Sequence, residues 1–179
     1  MIPFKEASDI GDQEGLEDYL ANWPEHLKNI PECVIEQWIY RHNDTFIDLW
    51  SGYEPENWGF ELVQFDNDEV FEIMHLEGEL EQYDYVGEEF IKQPYKRGYL
   101  ADYMLENGTF PQPIIVAIDA GDLEHPRSHP GEYMEEPYQL IEGHRRLGLL
   151  RTMINNGLET TNFHEVWLMH FNFPLKIKI

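Results

Sequence analysis

The stretch Tyr138-Gln-Leu-Ile-Glu-Gly-His-Arg-Arg-Leu147 collects residue types that bind phosphate. A short apolar strand runs into Glu142-Gly143, and Arg145 and Arg146 fall in the first turn of the helix that follows. Gly143 lets a backbone come close to an anion, the helix start presents free N–H groups and the positive end of a dipole, and a guanidinium grips phosphate oxygens two at a time. Gly143, His144, Arg145 and Arg146 therefore form a candidate phosphate cradle. The same residues also fit a plain strand-to-helix turn whose arginines pair with the chain's many carboxylates.

Other candidates flank the cradle. Glu142 suits a general base or a Mg2+ ligand beside a nucleotide, or an Arg-paired carboxylate. His144 suits acid–base work near neutral pH, or a surface capping role. Lys96 and Arg97 form the only basic cluster upstream of the cradle and would reach phosphates. His125 and His129 lie in a loop with no evident third ligand, so the sequence offers no metal set. Cys33, on an amphipathic helical pattern, reads as an inert buried thiol.

The elements that must position these groups follow from periodicity and turn residues. Helices are expected from Gly15 to Trp23 and from Pro31 through Ile35, Trp38, Ile39, Phe46 and Leu49, with Asp44 capping a second piece. Phe60–Phe65 and Glu69–Met74 read as two strands of a hairpin turning at Asp66-Asn67-Asp68. Residues 77–89, acidic with Tyr83 and Tyr85 interleaved, read as an acidic strand or loop, or as a mimic of a phosphate backbone. A helix carrying Tyr99, Leu100, Tyr103 and Met104 ends at Asn107-Gly108, and Pro113–Ile118 is a buried strand. A long loop over 119–137 leads to the strand 138–141, the helix 144–155 and a strand over 165–171; 176–179 would add an edge. The segment from Asp9 to Asp18 is acidic and turn-like. The fold class expected is α+β, a small sheet flanked by helices.

Helix ending at Asn107-Gly108, strand Pro113-Ile-Ile-Val116 and turn Glu142-Gly-His-Arg-Arg146 together resemble the ParB/sulfiredoxin superfamily over about residues 92–171. That resemblance implies a ParB/sulfiredoxin-like core over 92–179, preceded by an acidic elaboration over 1–91 (helices plus a hairpin), the whole packed as one domain. It implies a nucleotide, ATP or CTP with Mg2+, at the Gly143–Arg146 turn, with Lys96 and Arg97 beside it in a segment similar to the family's "Q-P-x-R". Activities in the superfamily include sulfinic-acid reduction, CTP-dependent DNA clamping, phosphoryl transfer and nuclease action. Sulfiredoxins place a cysteine after the turn glycine, where this chain has His144, so thiol chemistry is not expected.

Charge narrows the partners further. Net charge is −23 over 179 residues. Residues 1–90 hold 24 acidic and three basic side chains, whereas residues 91–179 hold 11 and nine. Such a field repels a nucleic-acid backbone and favours a basic protein, so an acidic binding module of antitoxin, immunity or inhibitor type is the alternative to nucleotide chemistry, with DNA binding or cleavage the weakest. One cysteine, no apolar run of about 20 residues and no leader-like start point to a cytoplasmic protein without a membrane span.

Overall fold

Asp66 settles how the middle of the chain folds. In the computed structural model, which describes residues 1–5 and 14–171, its side chain accepts the N–H groups of Asp68 and Glu69, and Glu69 returns a bond to the Asp66 N–H. This reciprocal capping box starts a helix, α4 (Asn67–Phe71). The expected hairpin is therefore absent. Strand β1 (Gly59–Phe65) ends at the cap, and only Ile73–Met74 forms the next strand, β2. The expected strand 176–179 lies outside the described residues, as does 9–13 of the acidic, turn-like segment 9–18, whose last residues begin a helix at Leu16.

The chain divides into two units, Met1–Phe60 with the end of the chain from His170, and Glu61–Met169. The compositional shift at residue 92 is not that division, since 61–91 belongs to the second unit.

The first unit is helical and aromatic. It holds α1 (Leu16–Ala21), α2 (Glu32–Val34) continuing as a π-helical stretch over Ile35–Tyr40, and α3 (Asn43–Trp50). Trp38 packs edge-on against Phe46 at 4.7 Å and Trp50 at 5.2 Å, and stacks with Trp58 at 5.8 Å; such pairs add about 0.5–1.5 kcal/mol each beyond simple burial. Asp44 does not cap α3. Its neighbour Asn43 is buried instead and donates to Pro3 O and Tyr19 Oη, while accepting the Lys5 N–H. Those bonds tie the start of the chain to α1 and α3.

The second unit is the α+β part. Beyond β1 and β2 it contains α5 (Glu79–Lys92), α6 (Tyr99–Asn107), β3 (Ile114–Ile118), β4 (Tyr138–Glu142), α7 (His144–Asn155) and β5 (His164–His170). The mixed sheet has the order β1-β5-β3-β4-β2, with β3 parallel to β5, antiparallel to β4, and β2 parallel to β4. The apolar run of β3 is buried along Ile114–Ala117, as a central strand requires. Ile114, Val116 and Leu140 from the sheet meet Leu147, Leu150 and Met153 of α7 in the core.

Residues 79–92 are a helix rather than the expected strand or loop, because α7 offers it a tight seat. A Cβ on Gly148 would lie 2.5 Å from the Tyr83 backbone, and one on Gly87 would lie 2.6 Å from Thr152 Oγ1 and 2.9 Å from Gly148 O. Asp84 accepts a forked pair of bonds from Arg151, Asp84 O accepts from Thr152, and Glu88 accepts from Asn156. Partners advance together along both helices, so α5 and α7 run parallel and their N-termini lie at the same end.

Gly148→Ala should cost about 1–3 kcal/mol, since its methyl would meet main chain that cannot rotate away. Gly52→Ala, whose Cβ meets nothing within 4 Å, should stay within about 0.5 kcal/mol of the parent. Urea midpoints of the two variants check the contrast.

Candidate functional site

The carboxyl ends of the parallel strands β2 and β4 each lead to a left-handed glycine. Gly78 (φ 76°) precedes α5 and Gly143 (φ 105°) precedes α7, and no side chain caps either helix. Gly143 is required twice over: by its φ, and because a Cβ there would lie 2.4 Å from the Ile114 side chain. The residues immediately after these glycines, Glu79 and His144, each occupy the first position of their helix. The parallel packing of α5 on α7 brings them together.

Between them sits His75, one residue beyond β2 and 5% exposed. Its Nε2 lies 3.0 Å from His144 Nε2 and 3.0 Å from Glu79 Oε2. The other Glu79 oxygen accepts from Arg127 at 2.8 Å. Gln139 Oε1 accepts the Glu135 N–H and Gln139 Nε2 donates to Leu140 O, which fixes the amide and directs its second N–H at His75 Nδ1, 2.8 Å away. The Leu140 carbonyl also bonds to His75 and favours its protonated ring. With the Gln139 N–H aimed at Nδ1, the proton of neutral His75 sits on Nε2, facing Glu79 and His144. His125 is buried edge-on to His75 at 5.6 Å between centroids, its Nδ1 accepting the Arg127 N–H. Tyr83 covers His144, with rings 5.1 Å apart.

The three imidazoles are held neutral. Burial, foremost, and the neighbouring positive groups push His144 down to about 3 and His75 and His125 down to about 4. His144 is therefore too weak a base to exchange protons near neutrality. It stands as a neutral nitrogen donor.

The expected phosphate contacts separate into two groups. Arg145 is exposed at the start of α7. Arg146 points inward: it is 7% exposed, donates to the Gln112 and Pro113 carbonyls at 2.8 and 3.1 Å, and lies 3.7 Å from Glu142. Arg146 and Glu142 thereby brace β4 and α7 against the approach to β3. Lys96 pairs with Glu89, and Arg97 donates to the Phe90 and Ile91 carbonyls. Both belong to the far end of α5, about 20 Å from Glu79 at 1.5 Å per residue, so they do not reach the turn. Cys33 is half-buried in the first unit. His129 is exposed, whereas His125 is buried.

His75 and Glu79 are functional candidates that sequence reading passed over. Their i,i+4 spacing was the available signal, but Gly78 interrupts it and the segment lacked a helical pattern strong enough to place them. His164 has a different role: buried, it engages Thr109 through Nδ1 and Asn67 through Nε2, and so joins three chain segments.

Compared with known proteins, the chain matches no family model, no curated protein and no solved structure. The ParB/sulfiredoxin resemblance rests on the residues quoted for it.

The depressed histidines carry a pH dependence. Their unfolded value is 6.5 and their folded values are about 3–4, so below pH 6.5 the unfolded chain binds protons that the fold refuses. The stability associated with neutral imidazoles is present above pH 6.5 and is lost as pH falls towards 4. His144→Gln removes one of the three contributions. Its Tm should fall less steeply than that of the parent between these values; parallel profiles would contradict the assignment.

Proposed function

We propose that the second unit binds a phosphate-bearing small molecule of the nucleotide class at the start of α7. The observation that carries this reading is the convergence of two uncapped, glycine-led helix starts with the exposed Arg145 beside them. Each helix end contributes a positive field equivalent to about half a charge, and free N–H groups at the first turn of α7 suit phosphate oxygens. Arg145 supplies the guanidinium, while Arg146 and Glu142 hold the turn. Mg2+ would arrive on the nucleotide's own phosphates, as it keeps an oxygen-rich shell. Phosphoryl transfer or hydrolysis at this site would depend on positioning and charge stabilisation more than on a titrating side chain.

Thermal shift with ATP, CTP, GTP and ADP, with and without Mg2+, tests the reading. A bound nucleotide at 100-fold over its Kd stabilises by about 2.7 kcal/mol. Arg145→Ala should abolish the shift while leaving the ligand-free Tm in place. Arg146→Ala should lower the ligand-free Tm itself, because hydrogen bonds from a charged group are worth about 1.5–3 kcal/mol each. Absence of a shift with all four nucleotides would defeat the proposal.

A further inference from the structure

His75, Glu79 and His144 offer one donor atom each, all within 4.8 Å of one another. We infer that these three side chains form a binding site for a borderline divalent transition ion, of which Zn2+ is the type.

The distances fit. A tetrahedral zinc with bonds of about 2.0–2.1 Å sets its ligand atoms about 3.3 Å apart. His75 Nε2 stands 3.0 Å from both His144 Nε2 and Glu79 Oε2, and those two lie within 4.8 Å of each other, so an ion entering between the three requires side-chain adjustment rather than backbone movement. Two imidazole nitrogens and one carboxylate oxygen favour Zn2+ and its congeners over Mg2+, which demands oxygen ligands. Three protein donors leave a fourth position for water or a ligand oxygen, the pattern of a reactive rather than a purely structural zinc.

The surroundings supply what a metal site needs outside its ligands. Arg127 holds one Glu79 oxygen and leaves the other facing the histidines. Ligation through His75 Nε2 moves the ring proton to Nδ1, so the Gln139 N–H that faces Nδ1 has to turn aside as the ion enters. The site also gives a reason for buried His75 and half-buried His144 to meet here, where apolar residues would pack at less cost. The helix starts and Arg127 oppose a cation, but the field of a helix end is weak beside direct coordination by three ligands.

The site stands on side chains that the nucleotide reading does not use, so each can fail alone. The chelator-treated 179-residue chain is titrated with Zn2+ alone by calorimetry and with Co2+ alone by visible absorption. One equivalent should bind, and Co2+ should show the intense d–d bands of a tetrahedral N/O site. Glu79→Gln and His144→Gln should each weaken binding by more than about 100-fold, beyond the 10–100-fold typical of an outer-shell partner. His129→Ala, a change at an exposed loop histidine, should bind like the parent. Circular dichroism confirms that the variants remain folded; if either does not, the parent's Co2+ spectrum and stoichiometry still decide. Absence of binding in the parent, or parent-like binding in both folded ligand variants, would overturn the inference.

Discussion

The close crossing of α5 and α7 is the constraint on which the rest of the second unit depends. Two glycines, Gly87 and Gly148, remove the side chains that would hold the helix backbones apart. The helices can then run parallel in near contact, fastened by the Asp84–Arg151 fork. Parallel helices have their N-termini at one end. Because each starts directly after a left-handed glycine, the first residue of each, Glu79 and His144, faces the same small volume. His75 enters from the adjoining strand end, and the sheet order places β2 beside β4 so that it can. Antiparallel helices would have put an N-terminus and a C-terminus there, with opposing fields and no convergence of these side chains.

Burial then sets the chemistry. A histidine in water titrates near neutrality, but three of them behind Tyr83, Gln139 and the loop around Arg127 are held neutral far below that range. Cations nearby reinforce the effect. The result is a group of neutral nitrogen donors edged by one oriented carboxylate, next to a helix start suited to negative charge. The two neighbouring arginines illustrate how finely the helix assigns roles. Successive residues are about 100° apart around the axis, so Arg146 turns inward to the Gln112 and Pro113 carbonyls while Arg145 remains outside. Identical chemistry one residue apart gives one brace and one accessible cation.

Some of this was legible from residue patterns. The strand 114–118, the strand 138–142 and the helix that starts at His144 follow from apolar runs bounded by turn residues, and the glycine at 108 ends its helix in the left-handed conformation expected. The middle of the chain departs from its local pattern. Asp66-x-x-Glu69 is a capping box as well as a turn sequence, and of the apolar residues in 69–74 Val70 and Phe71 belong to a short helix while only Ile73 and Met74 form a strand. Residues 79–92 carry so many acids and aromatics that their helical face was obscured; its apolar partner is a groove on α7 that local pattern does not describe.

Sequence by itself determined the local grammar of the cradle: a strand, a glycine that must adopt positive φ, and a helix start bearing His144, Arg145 and Arg146. It also fixed the strongly acidic character of the first 90 residues. The meeting of His75 with His144 was decided only by tertiary structure, because they lie 69 residues apart and no short-range periodicity relates them. The same is true of the separation of Arg145 from Arg146, and of Lys96 and Arg97 from the turn. Local sequence sets backbone conformation through φ, capping and periodicity. Which side chains share a volume depends on how closely α5 and α7 can approach, and that was set by two glycines distant in the chain.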